Sequence, residues 1–181
     1  MKHIFLTGNV QVGKSTILRR LLEAHPGIKA GGFRTVSGPV EGRTEGDGIY
    51  MAPADRDTPL NSSNLLFERW GEKGARQFRV YTEIFDTLGV SLLNDADGCG
   101  VILMDEIGFS EREALRFQKA ILDRLDGEIP VLGVVQRWEG EFLETVRSHK
   151  NIELITVTVE NREAVLNELL ERKQLWQAAK L

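Results

Sequence analysis

The octet Gly8 to Ser15, G-N-V-Q-V-G-K-S, follows the apolar run Ile4-Phe5-Leu6 and precedes a helical stripe of Ile17, Leu18, Leu21 and Leu22. The spacing G-x-x-x-x-G-K-[ST] is that of a phosphate-binding loop, which requires a buried strand before it and a helix after it. Both patterns are present, and His25-Pro26-Gly27 stops the helix. Gly8 and Gly13 permit backbone angles and close approaches that a Cβ forbids, so the N–H groups of Asn9, Val10, Gln11 and Val12 are free to turn toward phosphate oxygens. The helix start adds its dipole. Lys14 is expected to bridge the β and γ phosphates, Ser15 to hold magnesium, and Thr16 to reach the α phosphate.

Around this loop, apolar strands alternate with helical patterns, which predicts an α/β fold of three layers: a mostly parallel central sheet with helices on both faces. Strands are expected at residues 2–7, 28–35, 99–104, 130–135 and 152–158. The uniformly apolar runs at 99–104 and 130–135 read as central strands, and the mixed run at 152–158 as one nearer an edge. Helices are expected at about 81–94, 111–126, 139–149 and 160–179. Ser110 and Glu113 suggest a capping box for the second, and Trp176 joins the apolar stripe of the last. Residues 36–76 break the rhythm with glycines and polar side chains, predicting a small β-rich insertion, a hairpin plus a lid-like excursion near the nucleotide site. The 181 residues suit a single domain.

A second constellation lies in Val101-Ile-Leu-Met-Asp-Glu106, an acidic pair at the end of a buried strand. Asp105 is expected to hold magnesium, a hard cation suited to oxygen ligands. Glu106, just beyond the strand end, is expected to polarise an attacking water as general base. The strand ending Val135-Gln136-Arg137 offers Gln136 to the γ phosphate or the water, and Arg137 to offset charge in the transition state. Arg34 and Arg43 are further candidates to reach phosphates, and Trp138 to stack on a base. His3, His25 and His149 lack metal-ligand spacing and read as structural.

The formal charge of −4, from 23 basic and 27 acidic residues, argues against a chain-wide grip on nucleic acid or an anionic membrane. Cys99 is the single cysteine, which fits a reducing compartment. With no leader pattern and no apolar run of membrane-spanning length, a cytoplasmic protein is expected, with a monomer favoured.

Taken together, GNVQVGKST, GGFRT at 31–35, VILMDEIG at 101–108, VLGVVQR at 131–137 and ELITVTVENRE at 153–163 resemble the THEP-type nucleoside-triphosphatase family nearly end to end. The resemblance implies a RecA-like P-loop domain that hydrolyses nucleoside triphosphates to diphosphates with magnesium and modest base selectivity. It implies phosphate binding by Gly8 to Thr16, magnesium binding by Asp105 and water activation by Glu106. This chain departs from the family at Phe109 and Ser110, where Pro and Met are usual, at Gln136, and over residues 43–51. Two other uses of the same loop stand beside hydrolysis: a nucleotide or small-molecule kinase with its acceptor held by 36–76, and a nucleotide-controlled binding module. An N-K-x-D motif is absent, which disfavours a guanine-specific switch.

Overall fold

Strand β1 (His3–Thr7) is buried along its whole length, and its side chains alternate between two apolar layers. Ile4 and Leu6 point to one face, where α1 (Lys14–Glu23) and α6 (Arg162–Glu171) pack through Ile17, Leu18, Leu21, Val165, Leu166 and Leu169. Phe5 points to the other, among residues of α4 (Leu115–Leu125) and α5 (Glu141–Arg147). The same alternation runs along β6 (Val101–Ile107) and β7 (Val131–Val135): Val101, Leu103, Leu132 and Val134 join the first layer, and Ile102, Met104, Val131 and Val135 the second. A period of two with both phases apolar is what a sheet covered on both faces demands.

The computed structural model describes residues 2–43, 46–71 and 76–172. The remaining strands are β2 (Ala30–Gly38), β3 (Asp47–Pro53), β4 (Leu65–Trp70), β5 (Gln77–Val80) and β8 (Ile152–Thr156). All join one sheet in the order β5-β4-β3-β2-β6-β7-β1-β8. From β2 to β8 the neighbours are parallel, and from β2 to β5 they are antiparallel. The expected three-layer arrangement is therefore present, with central β6 and β7 and an edge strand β8. The β-rich character expected of 36–76 takes the form of β3 and β4, which extend the main sheet. No helix among the described residues is long and apolar enough to cross a membrane.

Several boundaries differ from expectation. The acidic pair lies inside β6, because Ile107 rejoins the ladder opposite Val135 after a register shift between Met104 and Ile107. The expected helix at 111–126 starts at Leu115, preceded by a 3-10 turn at Phe109–Glu113, so Ser110 and Glu113 make no capping box. Instead the carboxylate of Glu111 accepts the Gly108 N–H at 2.9 Å. The helical segment after β5 comprises α2 (Thr82–Ile84), a π-helical turn (Phe85–Gly89) and α3 (Val90–Asn94). Trp176 and the end of the last expected helix lie outside the described residues.

All three histidines are engaged locally. His25 Nδ1 lies 2.8 Å from Leu21 O, and His149 Nε2 lies 3.5 Å from Asp126. His3 is buried, with Nδ1 accepting the Val131 N–H at 3.1 Å and Nε2 within 3.0 Å of Leu125 O. The bonded form is the neutral tautomer with its proton on Nε2, since Nδ1 must accept. Burial holds the His3 pKa below its usual 6.5. The unfolded chain therefore takes up the proton first as pH falls, so this contribution to stability is present above about pH 6.5 and is lost below it. Replacing His3 with Leu should cost about 2 kcal/mol at pH 7.5, since the Val131 N–H loses its buried acceptor while Leu125 O keeps only the donor from Asn151 Nδ2. In urea unfolding, the gap between wild type and His3→Leu should narrow as pH is lowered to 5; a constant gap would contradict the assignment.

Candidate functional site

The strand order carries β1, β6 and β7 to a common end of the sheet, where parallel α/β folds gather their ligand-binding groups. Residues from Gly8 to Thr16, with the exception of Val12, line one cavity of about 650 Å³ together with Glu106, Gln136 and Arg137. Val12 turns its side chain into the α1 and α6 layer instead. Asp105 lies in an adjoining cavity of about 560 Å³, and Ser15, Thr16 and Thr35 line both.

The loop owes its shape to packing as much as to ligand approach. Gly8 has φ near 141°, and a Cβ there would collide with the Val157 carbonyl. Gly13, in the left-handed region, caps α1. Lys14 Nζ lies over the loop, donating to Gly8 O at 3.2 Å and to Asn9 O at 2.7 Å. Burial lowers the Lys14 pKa, while the carboxylates of Glu106 and Asp105 act to raise it.

Ser15 Oγ donates to Asp105 Oδ1 at 2.9 Å across 90 positions of sequence. The loop hydroxyl and the strand carboxylate are thus in direct contact. Asp105 is buried, and the loss of hydration pushes its pKa up to about 6 despite the bond from Ser15 and the charge of Lys14. A buried carboxyl against a hydroxyl is a hard-oxygen donor pair whose chemistry fits a divalent cation, which would compensate its charge.

Beside this pair, Gln136 Nε2 donates to Glu106 Oε1. The Gln136 side-chain oxygen Oε1 is buried and, among the described residues, has no hydrogen-bond partner. Gln136 is fixed from two further sides: its N–H donates to Ile107 O at 2.9 Å, and Arg147 Nη1 donates to its main-chain carbonyl at 2.5 Å. Its amide also fills the space beside Gly108 that a side chain there would need. Arg137 Nη1 reaches Asn9 Oδ1 at 3.4 Å, which brings its charge to the loop's outer rim.

The other candidates divide. Arg34 stands in the Asp105 cavity but pairs with Asp57. Arg43 does not reach the loop: it bonds buried Glu68 at 2.7 Å and lies 4.1 Å above the Trp70 ring. Trp138 is exposed, lines the larger cavity and meets Phe109 edge-on at 6.0 Å.

Glu111, Thr35 and Ser37 escaped the sequence reading. Glu111 is buried, burial raises its pKa to about 7, and its bond to Gly108 N–H secures the turn behind Glu106 and Gln136. The available signal was an acid three residues beyond a glycine, overlooked because Ser110 with Glu113 matched a commoner pattern. Thr35, the last residue of the GGFRT segment, and Ser37 bring hydroxyl-bearing residues of β2 to the larger cavity, a role that their local sequence does not mark.

Comparison with known proteins bears on the family and the fold. A family model described as NTPase matches residues 3–170. The nucleoside-triphosphatase THEP1 of Methanosarcina acetivorans is 30% identical over 177 residues, covering 95% of this chain and 97% of that protein. The human cancer-related nucleoside-triphosphatase is 30% identical over 183 residues, covering 93% and 95%. Its solution structure superposes with a TM-score of 0.66 at 25% identity over 96% of this chain and 98% of that one. The crystal structure of THEP1 from Aquifex aeolicus gives a TM-score of 0.71 over 94% and 99%, and at 23% identity it speaks for the fold. With 168 consecutive residues matched and relatives aligned nearly end to end, the chain belongs to the NTPase family of nucleoside-triphosphatases.

Proposed function

We propose that the chain hydrolyses nucleoside 5′-triphosphates such as ATP and GTP to the diphosphate and phosphate in a magnesium-dependent reaction, with Glu106 as general base. The observation that carries this reading is that Glu106 shares the loop's cavity with Lys14 and accepts a bond from Gln136, beside the contacting pair Ser15 and Asp105. Backbone N–H groups from Gly8 to Thr16 cradle the phosphates, and Lys14 bridges β and γ. Ser15 and Asp105 would hold the magnesium, which would supply positive charge to the phosphate oxygens. Glu106 orients a water and receives its proton. The water oxygen bonds to the γ phosphorus as the bond from that phosphorus to the β–γ bridging oxygen breaks. Gln136 keeps the Glu106 carboxylate directed at the water, and Arg137 balances charge on the transferring group.

Purified protein should release phosphate from ATP and GTP with no second substrate present. Glu106→Gln should lower kcat about 10²- to 10⁴-fold while the Kd for a non-hydrolysable analogue changes little, and undiminished turnover would remove Glu106 from the role of base. Turnover should cease on chelation with EDTA and return with added magnesium; full activity after chelation would exclude the metal-dependent reading.

A second reading, phosphoryl transfer to an acceptor, is favoured by Thr35 and Ser37, whose hydroxyls suit a polar acceptor in the same cavity. A phosphorylated product accumulating in place of free phosphate when hydroxyl metabolites are supplied would select it; phosphate release unaffected across that panel selects hydrolysis.

A further inference from the structure

The groups assigned above to the reacting end of the triphosphate come from one flank of β1. Asp105 and Glu106 lie on β6, and Gln136 and Arg137 follow β7. The other flank is occupied by β8, and the segment after it closes on the phosphate loop. Val157 N–H donates to Thr7 O at 2.8 Å, and the Val157 carbonyl abuts Gly8. Asn161 then ties the turn to itself. Its Oδ1 accepts the Thr158 N–H at 2.7 Å, its Nδ2 donates to Thr156 O at 2.9 Å, and its N–H donates to Thr158 Oγ1 at 3.3 Å.

The residue delivered by that turn is Arg162. Its side chain crosses Gly13 so closely that a Cβ there would lie 3.5 Å from Arg162 Cδ and 3.9 Å from Nη1. Arg162 is exposed and its guanidinium, among the described residues, has no hydrogen bond or ion pair, whereas the adjacent Glu163 pairs with Arg20 at 3.0 Å. A rigidly tied turn thus holds an unengaged guanidinium against the phosphate loop.

Loop polarity decides what this guanidinium meets. Lys14 and the γ phosphate face Glu106 and Gln136 on the β7 flank, so the nucleoside departs on the opposite flank, over Gly13 toward the segment after β8. A guanidinium is planar, weakly hydrated and stacks on aromatic faces, which an ammonium does less well. We propose that Arg162 stacks on the base of the bound nucleotide and so accounts for affinity shared by different bases, since every base presents a π face. This assignment rests on the loop holding a nucleoside triphosphate, as proposed above.

Isothermal titration of the whole chain with non-hydrolysable ATP, GTP and CTP analogues, and with inorganic tripolyphosphate, separates the contributions. Arg162→Ala should weaken all three analogues by about 10-fold and leave tripolyphosphate within about two-fold of wild type. Arg162→Lys, which keeps the charge and loses the plane, should weaken the analogues in the same direction. Unchanged analogue binding in Arg162→Ala overturns the stacking role while leaving the nucleotide site intact. An equal loss for tripolyphosphate also overturns it, by assigning Arg162 to a phosphate. Failure of the wild type to bind any of the four ligands overturns the nucleotide reading, and this inference with it.

Discussion

Parallel pairing of β1 between β7 and β8 is the constraint on which the rest of this molecule depends. It leaves β1 no exposed edge and no polar face, so all five residues from His3 to Thr7 are buried and the chain is held at a fixed depth when it turns into the phosphate loop. Because β6 pairs with β7 in the same direction, its acidic residues arrive at that depth as well. The 2.9 Å contact between Ser15 and Asp105 is the result of two registers agreeing. His3 reinforces the arrangement from the opposite end of β1, tying it to the end of α4 and the start of β7.

The electrostatics of the site follow from depth. Asp105, Glu106 and Glu111 are three acids within a short stretch of chain, and Asp105 and Glu111 are deeply buried. Their environments separate them: burial lifts the Asp105 carboxyl to about 6 against the opposing pull of a hydroxyl and a lysine, and near-complete burial lifts Glu111 to about 7. Like charge from Glu106 pushes both upward. A cation at Asp105 would relieve its charge, whereas Glu111 accepts the Gly108 N–H and supports the turn.

Much of this was legible in the residues. The phosphate loop, the acidic pair and the five parallel strands carry strong local signals, because burial on both faces demands continuous apolar runs and phosphate binding demands glycine and lysine at fixed spacing. The antiparallel strands were harder. In β4, Glu68 and Arg69 interrupt the apolar pattern, and Glu68 is buried only because Arg43 and Tyr81 bond to it from distant positions. In β5, Gln77 and Arg79 leave two apolar residues in an edge strand of four. Arg43 could not be assigned from sequence for the same reason: its carboxylate partner is 25 positions away. At Ser110 and Glu113 a familiar local pattern was outcompeted by the neighbouring Glu111, whose burial depends on tertiary packing.

The collision that a side chain at position 8 would make with the Val157 carbonyl separates two kinds of selection. Glycine is required there by the protein's own backbone, whether or not a phosphate ever binds, while nothing in the packing of the sheet requires an acid at position 106. A descendant that abandoned turnover would keep the first glycine of its loop and be free to drift at the glutamate. Under the hydrolysis proposed above, the first glycine of the loop would be held by the fold and the acid by the chemistry alone.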